Sequence, residues 1–429
     1  MKVAIIGAGS ASFSRRLMID MMAIEGIVPD EIALMDVDTD RMELVSRYGN
    51  KLIEQHGADT KLTTTDSNRE AVDGARYVIM SIRVGGFAPR PSDIGIPLKY
   101  GIDQSVGDTI GPGGIFQGLR NAPALLHTAD NIREVAEPGA MILQHSNPMA
   151  INCWLMSTAR PDVQHYGLCH SVQGTSKQLS DYMDVPYEEL DYWVAGINHM
   201  AWFLRLERNG EDLYPLLREK MQDPEIFAKN TVRFEVFKHF GYFVTESTRH
   251  MSEYTPWFRD RQEIMEQFDL EPRDMEEMAN RWQKVEKQLT DELESDEPLP
   301  SSRSHEYTTM IMEAVETDTP TQVNVSVPNT GLITNLPEGC AVEVPSFVDG
   351  RGVHPCYVGA LPDQLAGLNE SNIRSQALAV KAALEGDRDA LYQAMMLDPL
   401  TSAVLSLQET RDMVDEMLES QKQWLPQFD

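Results

Sequence analysis

Cys169-His170-Ser171 precedes Asn198-His199 by some thirty residues, and the chain opens on Val3-Ala-Ile-Ile-Gly7-Ala-Gly9-Ser10. A thiolate and an imidazole suit a divalent transition metal, whereas a strand running into a glycine turn suits a dinucleotide. Cys169 and His199 would not close a cage. They would leave positions for substrate hydroxyls and water, as a catalytic metal requires. Each also has a plainer role alone: Cys169 as a small buried hydrophobe, His199 as a hydrogen-bonded core histidine beside Trp202 and Phe203.

Gly7 and Gly9 let the chain turn tightly and bring backbone N–H groups, with Ser10, against a pyrophosphate at the N-terminus of a helix over 11–25. Ser12 replaces the usual third glycine, so the strand and helix around the turn carry the assignment. Asp36, closing Ile32-Ala-Leu-Met-Asp36, is placed to accept from the ribose hydroxyls of NAD and to repel the extra phosphate of NADP. Its alternative is a cap for a helix over 40–56.

These residues need a scaffold. Apolar runs predict strands at about 2–6, 31–36, 76–82, 140–144 and 163–168 with helices between, an α/β fold with a doubly wound parallel sheet. Cys169 then falls at the carboxyl edge, where ligands of open α/β sheets bind. The division predicted is a dinucleotide-binding domain over 1–168 and a mixed α+β domain over 169–429 carrying metal and substrate. In the latter, Tyr192-Trp-Val-Ala, Trp202-Phe-Leu-Arg-Leu and Gln322-Val-Asn-Val-Ser-Val read as strands, and 224–240, 258–293 and 364–424 as helical, the last packing on the second domain. The acidic stretch Glu266–Glu297 reads as a solvated helix ending near Pro298. Gly111-Pro-Gly-Gly114 is a turn or a close backbone approach to a sugar. Asn147, in Ser146-Asn147-Pro148, offers donor and acceptor to hydroxyls.

Composition removes whole classes of partner. With 37 Lys+Arg against 67 Asp+Glu in 429 residues, the formal charge of -30 repels nucleic acid and anionic membranes. Met1-Lys2-Val3 leads straight into the first strand, with no signal peptide, and no run reaches a membrane span. Cys153, Cys169, Cys340 and Cys356 form no Cys-x-x-Cys pair, so the expectation is a cytoplasmic protein with reduced thiols. The 23 methionines read as core filler.

Seven ordered segments carry a resemblance: Gly7-Ala-Gly-Ser10, Asp108-Thr-Ile-Gly-Pro-Gly-Gly114, Asn147-Pro-Met-Ala150, Gly167-Leu-Cys-His-Ser-Val-Gln-Gly-Thr175, Gly196-Ile-Asn-His-Met-Ala201, Gly241-Tyr-Phe-Val-Thr-Glu-Ser247 and Glu253-Tyr-Thr-Pro-Trp257. Together they resemble family 4 of the glycoside hydrolases, NAD- and manganese-dependent enzymes, and most closely its α-galactosidase branch. The resemblance implies a Rossmann domain like that of lactate and malate dehydrogenases, Cys169 and His199 on Mn²⁺, Asn147 on an α-galactoside, and a homo-oligomer. Cys-His-Ser is similar to the galactosidase pattern in the residues after the cysteine. Arg83 and Arg90, flanking Val84-Gly-Gly-Phe-Ala-Pro89, are a departure: a guanidinium near the sugar suits a carboxylate or phosphate, so an α-galacturonidase or phosphoglycosidase stays open beside a merely solvated arginine.

The mechanism implied is redox-neutral and dispenses with the carboxylate pair of other glycosidases, from which NAD-dependent enzymes are an exception. A hydride leaves sugar C3, H2 becomes acidic, the glycosidic oxygen departs, water adds at C1 and the hydride returns. The acid expected is His170, able to titrate near neutrality. For the base, Tyr254 matches a tyrosine of the family, while Glu246 and Asp108 are carboxylates in resembling motifs. Rival readings are a plain NAD-dependent dehydrogenase, since one sheet serves either, and an NAD-responsive binding protein.

Overall fold

Alternation along the first strand sets the architecture: Val3 and Ile5 join one hydrophobic cluster, Ala4 and Ile6 another, on opposite faces of one sheet. The computed structural model describes residues 1–24, 26–272 and 275–428, with backbone alone at 275–279 and 281. In chain order the strands are β1 (Lys2–Ile6), β2 (Glu31–Met35), β3 (Lys61–Thr65), β4 (Tyr77–Met80), β5 (Met141–Gln144), β6 (Gln164–Gly167), β7 (Leu190–Ile197), β8 (Met200–Arg208), β9 (Glu211–Asp212), β10 (Thr321–Pro328), β11 (Ala341–Asp349) and β12 (Gly352–Pro355). Their order is β3-β2-β1-β4-β5-β6-β10-β11-β7-β8-β9, with β12 on β11. The first six are parallel in the dinucleotide-binding order, Val3 lying between Ile32 and Tyr77. The remainder are antiparallel and continue the same sheet, Ser326 of β10 facing Gly167 of β6.

β3 is absent from the sequence reading. Lys61-Leu-Thr-Thr-Thr holds one strong apolar residue, and a β-branched edge strand needs no more. The helix expected over 11–25 is Ala11–Met22, and Glu25 lies outside the described residues. The 224–240 pattern divides into Pro224–Ala228 and Thr231–Phe240, with Asn230 out of the helical conformation at φ -153° between them. That over 258–293 divides into Gln262–Gln267 and Met275–Glu294; Asp269 at φ +55° turns the chain, and Arg273 and Asp274 lie outside the described residues.

Two expectations about packing are overturned. Helix Met275–Glu294 is not solvated all round, since Arg41 lies 3.9 Å over the Trp282 ring and Arg15 pairs with Glu292 at 2.7 Å. The C-terminal helices Asp363–Glu385, Arg388–Leu397 and Leu407–Gln421 pack mainly on the nucleotide-binding half, their Ala379, Leu391, Met395, Met413, Val414 and Met417 sharing a cluster with Ala4, Ile6, Phe116 and Ile142. Burying the five larger of these contributes roughly 10 kcal/mol at about 1.5–3 kcal/mol each, as much as the net stability of a domain. The first half therefore depends on residues far along the chain.

Candidate active site

The cleft over the carboxyl edge of β1, β4 and β5 has a volume of about 810 Å³ and runs from Gly7, Gly9, Ser10 and Asp36 to Arg83, Asp108 and Asn147. Gly7 has φ +87°, and a Cβ there would overlap the Ser81 carbonyl oxygen. A Cβ on Gly9 would stand 2.8 Å from Asp36 Oδ2. Ser10 sits at the N-cap of Ala11–Met22 without spending its hydroxyl on the cap; Ala11 N donates to Gly9 O at 2.9 Å and Phe13 N to Ser10 O at 3.0 Å, which leaves the Ser12 N–H and the Ser10 hydroxyl at the helix end open to an anion. Bare turn, open helix end and carboxylate fit a dinucleotide. Asp36 accepts from Gly9 N at 2.7 Å and from Asp38 N at 2.9 Å, and the cap of Thr39–His56 is Asp38 instead. Trp282 and Val285 of the second half close the far wall.

Beyond β6 the chain brings Cys169 Sγ to 3.4 Å from His199 Nε2. His199 is buried at φ +66°, on the turn joining β7 to β8. The ring of His250 meets it edge-on at 4.6 Å, and His250 Nδ1 lies 2.7 Å from Glu246 Oε2. Ligand atoms of His199, Glu246 and His250 all fall within 4.8 Å of one another. Sulfur, imidazole and carboxylate donors so grouped fit a divalent transition metal. Burial, with Glu343 and Glu246, pushes the Cys169 thiol up to about 12, so it keeps its proton until a cation displaces it. Burial alone would raise Glu246, but the His250 and His199 imidazoles outweigh it and hold the carboxyl well below its ordinary range. Tyr254 Oη is 3.5 Å from His199 Nδ1, and burial, with Glu253, Glu246 and Cys169, holds the phenol well above its ordinary value.

Asp108 takes two guanidiniums on one oxygen. Arg83 Nη2 donates to Oδ2 at 2.9 Å and Arg90 Nη2 at 2.6 Å. Burial would raise Asp108, yet the two arginines keep it well below the carboxylate range. Arg90 is only 3% exposed, which corrects the solvated reading. The loop is fixed to the metal side, Val106 and Gly107 N–H donating to the Glu253 carboxylate at 2.6 and 3.1 Å. Gly111–Gly114 is not a free turn but the start of helix Gly111–Val135. Asn147 is anchored through its main-chain oxygen, which accepts from Gln117 at 2.8 Å and Asn121 at 2.9 Å.

Cys169, His199, Glu246 and Tyr254 are thus brought together, with Asp108 and Asn147 on the adjoining cleft wall. His170 stands apart: its side chain is 70% exposed and nearest in charge to Glu306, at 3.9 Å. Sequence reasoning missed His250, although Glu246 and His250 at helical i, i+4 spacing were a legible signal. It also missed Glu343, a β11 carboxyl that accepts from Asn198 at 2.9 Å and that burial raises to about 7. It missed His145 too, in the cleft, its ring 4.5 Å from that of Phe13 and tilted 55° to it.

Known proteins match this chain along most of its length. Residues 2–185 match the family described as Family 4 glycosyl hydrolase, and residues 194–401 its C-terminal domain. An α-galactosidase of Bacillus subtilis is 37% identical over 435 residues, covering 100% of this chain and 99% of its own. An α-galactosidase of Rhizobium meliloti is 38% identical over 441 residues, covering 100% and 89%. The crystal structure of a 6-phospho-α-glucosidase from gut microorganisms, in complex with NAD and Mn²⁺, superposes with a TM-score of 0.86 at 23% identity, covering 100% of this chain and 99% of that one, a likeness of fold.

Proposed function

Because the chain belongs to family 4 of the glycosyl hydrolases, we propose that it hydrolyses α-galactosides using NAD and a divalent cation, Mn²⁺ first among them. The observation that carries this reading is the approach of Cys169 Sγ to His199 Nε2, 3.4 Å, beside a glycine-floored cleft that ends at Asn147. The two α-galactosidases, similar over the whole chain, support the substrate. Residues 1–168 would serve the nucleotide, with Asn147 and the Asp108 wall reaching the sugar, and 169–429 the metal and the rest of the sugar site.

When bound, NAD⁺ supplies a hydride acceptor and the cation a Lewis acid for a neighbouring carbonyl. The chain's own groups orient and move protons. Gly7, Gly9 and Ser10 receive the pyrophosphate and Asp36 the ribose, while Cys169 and His199 hold the cation with Glu246 and His250 at hand. Asn147 positions sugar hydroxyls through its amide. Tyr254 takes H2; its phenol, raised by burial, becomes a base only in the field of a cation. His170, open to solvent, delivers the proton to the departing oxygen. Four free thiols suit the cytoplasm, where we place the enzyme, and the family resemblance favours assembly in several copies.

The test is release of nitrophenol from 4-nitrophenyl α-galactoside. Turnover needing both NAD⁺ and Mn²⁺, without net NADH and with deuterium from D₂O at C2 of the product, is expected. Net NADH from a hydroxy acid or sugar would make the protein a dehydrogenase; NAD binding with no turnover on any glycoside would make it a binding protein.

A further inference from the structure

Two arginines and one aspartate occupy the cleft wall between Asn147 and the metal side, and their geometry is unusual for a wall that receives an anion. Arg83 and Arg90 spend their Nη2 donors on the same Asp108 oxygen. Arg90 gives its Nη1 to the Gly107 carbonyl at 3.0 Å, and Arg83 its Nη1 to Gln117 Oε1 at 3.0 Å. Both terminal nitrogens of each guanidinium are thus engaged, so the end-on fork by which arginine captures a carboxylate or phosphate is taken; what remains is the Nε side of Arg83, and on Arg90 a buried Nε that no partner meets among the described residues. Asp108 itself is 7% exposed, and of the two arginines lining the cleft here Arg83, at 30% side-chain exposure against 3% for Arg90, is the more open to it. The cluster is held against the sugar end by the bonds of Val106 and Gly107 to Glu253, next to Tyr254.

We infer that Asp108 is a specificity-determining residue: by occupying both guanidiniums it makes this wall one for an uncharged sugar and excludes the hexuronate and sugar-phosphate substrates that Arg83 and Arg90 would otherwise favour. This rests on the reading of the cleft as the glycoside site. Asp108 acts here by neutralising a charge and needs no proton transfer. Arg90, buried and bound to the 106–107 carbonyls, fixes the loop, and Arg83 is the guanidinium that an anionic sugar would recruit once Asp108 lost its charge.

The experiment measures binding of galactose and galacturonate to the protein saturated with NAD⁺ and Mn²⁺, by calorimetry, alongside turnover of the 4-nitrophenyl α-glycosides of both. The wild type should bind galacturonate no better than galactose. D108N, isosteric but uncharged, should raise the galacturonate-to-galactose affinity ratio at least tenfold, the scale of one hydrogen bond to a charged group. The double variant D108N/R83Q should return it to the wild-type value. An unchanged ratio in D108N, or a raised ratio that survives removal of Arg83, overturns the proposal. Should D108N not fold, R83Q alone decides: it leaves Asp108 with one countercharge, so the ratio should fall, and a constant ratio refutes the role. Failure of the hydrolase reading appears separately, as no nitrophenol from the wild type with either substrate, while the binding ratios remain measurable.

Discussion

Replacing Gly7 and Gly9 in turn by alanine separates fold from cofactor. At Gly7 the alanine meets two penalties: a left-handed φ of +87°, about 1–2 kcal/mol for an L-residue, and overlap with a backbone carbonyl, that of Ser81. Ser81 cannot yield cheaply, because its own N–H is tied to Ile6 O at 2.8 Å between β1 and β4. The sum is about 3 kcal/mol or more, in the range reserved for strained backbone and overpacking. At Gly9 the φ is ordinary, and the obstacle at 2.8 Å is the end of a side chain, Asp36 Oδ2. Asp36 swings away, the fold survives, and the variant forfeits one charge-assisted hydrogen bond, roughly 1.5–3 kcal/mol, or about 10- to 150-fold in NAD affinity. Thermal melting with and without NAD, and calorimetric titration of NAD, read both quantities. G7A should melt several degrees lower than G9A, and G9A should bind NAD at least tenfold more weakly than the wild type. Equal melting temperatures of the two variants, or wild-type affinity in G9A, would refute the reasoning.

C169S and H199A should each weaken Mn²⁺ binding at least tenfold and abolish galactosidase turnover while leaving NAD affinity within twofold; near-native turnover in either would displace the metal site. H250A should weaken Mn²⁺ binding more than H170A, since His250 touches His199 and Glu246 while His170 faces solvent. Equal effects would remove His250 from the site. The metal-free protein should hold its stability between about pH 4.5 and 6.5 and lose it steeply below about pH 4. Asp108 and Glu246, with depressed pKa values, stabilise fully above the unfolded carboxylate range and lose that contribution as pH falls. Between those limits two effects of opposite sign cancel: burial holds His145 and His165 down to about 3 and about 4, favouring the fold as pH rises, whereas Glu343 and Asp398, raised to about 7 and about 6, disfavour it. Chemical denaturation across pH checks this, and a smooth decline from pH 7 would contradict it.

What was legible in the sequence is whatever a local pattern encodes. Val3-Ala-Ile-Ile before Gly7 specified a strand and a glycine turn, and the run up to Leu168-Cys169 specified the end of a strand, because each meaning sits within a few residues. The pairing of Cys169 with His199 came with the family resemblance, and the β7–β8 turn accounts for it only in three dimensions. Asp108 looked like a free carboxylate because nothing local shows that Arg83 and Arg90 fold back onto it. The C-terminal helices kept their 3.6-residue period, but a period names a buried face and not the surface covering it. Hence Leu391 and Met413 were assigned to the wrong half.

That last arrangement bears on how the molecule is made. Phe428 is buried in the cluster that holds Ala4 and Ile6, Arg388 Nη2 donates to its carbonyl oxygen at 2.8 Å, and Gln427 reaches back to Leu119 O at 2.9 Å. An emerging nucleotide half therefore waits, with part of its apolar surface uncovered, until the ribosome has delivered residues almost the whole chain away, a state open to chaperones and aggregation alike. Expression of residues 1–168 by themselves would leave that surface permanently bare.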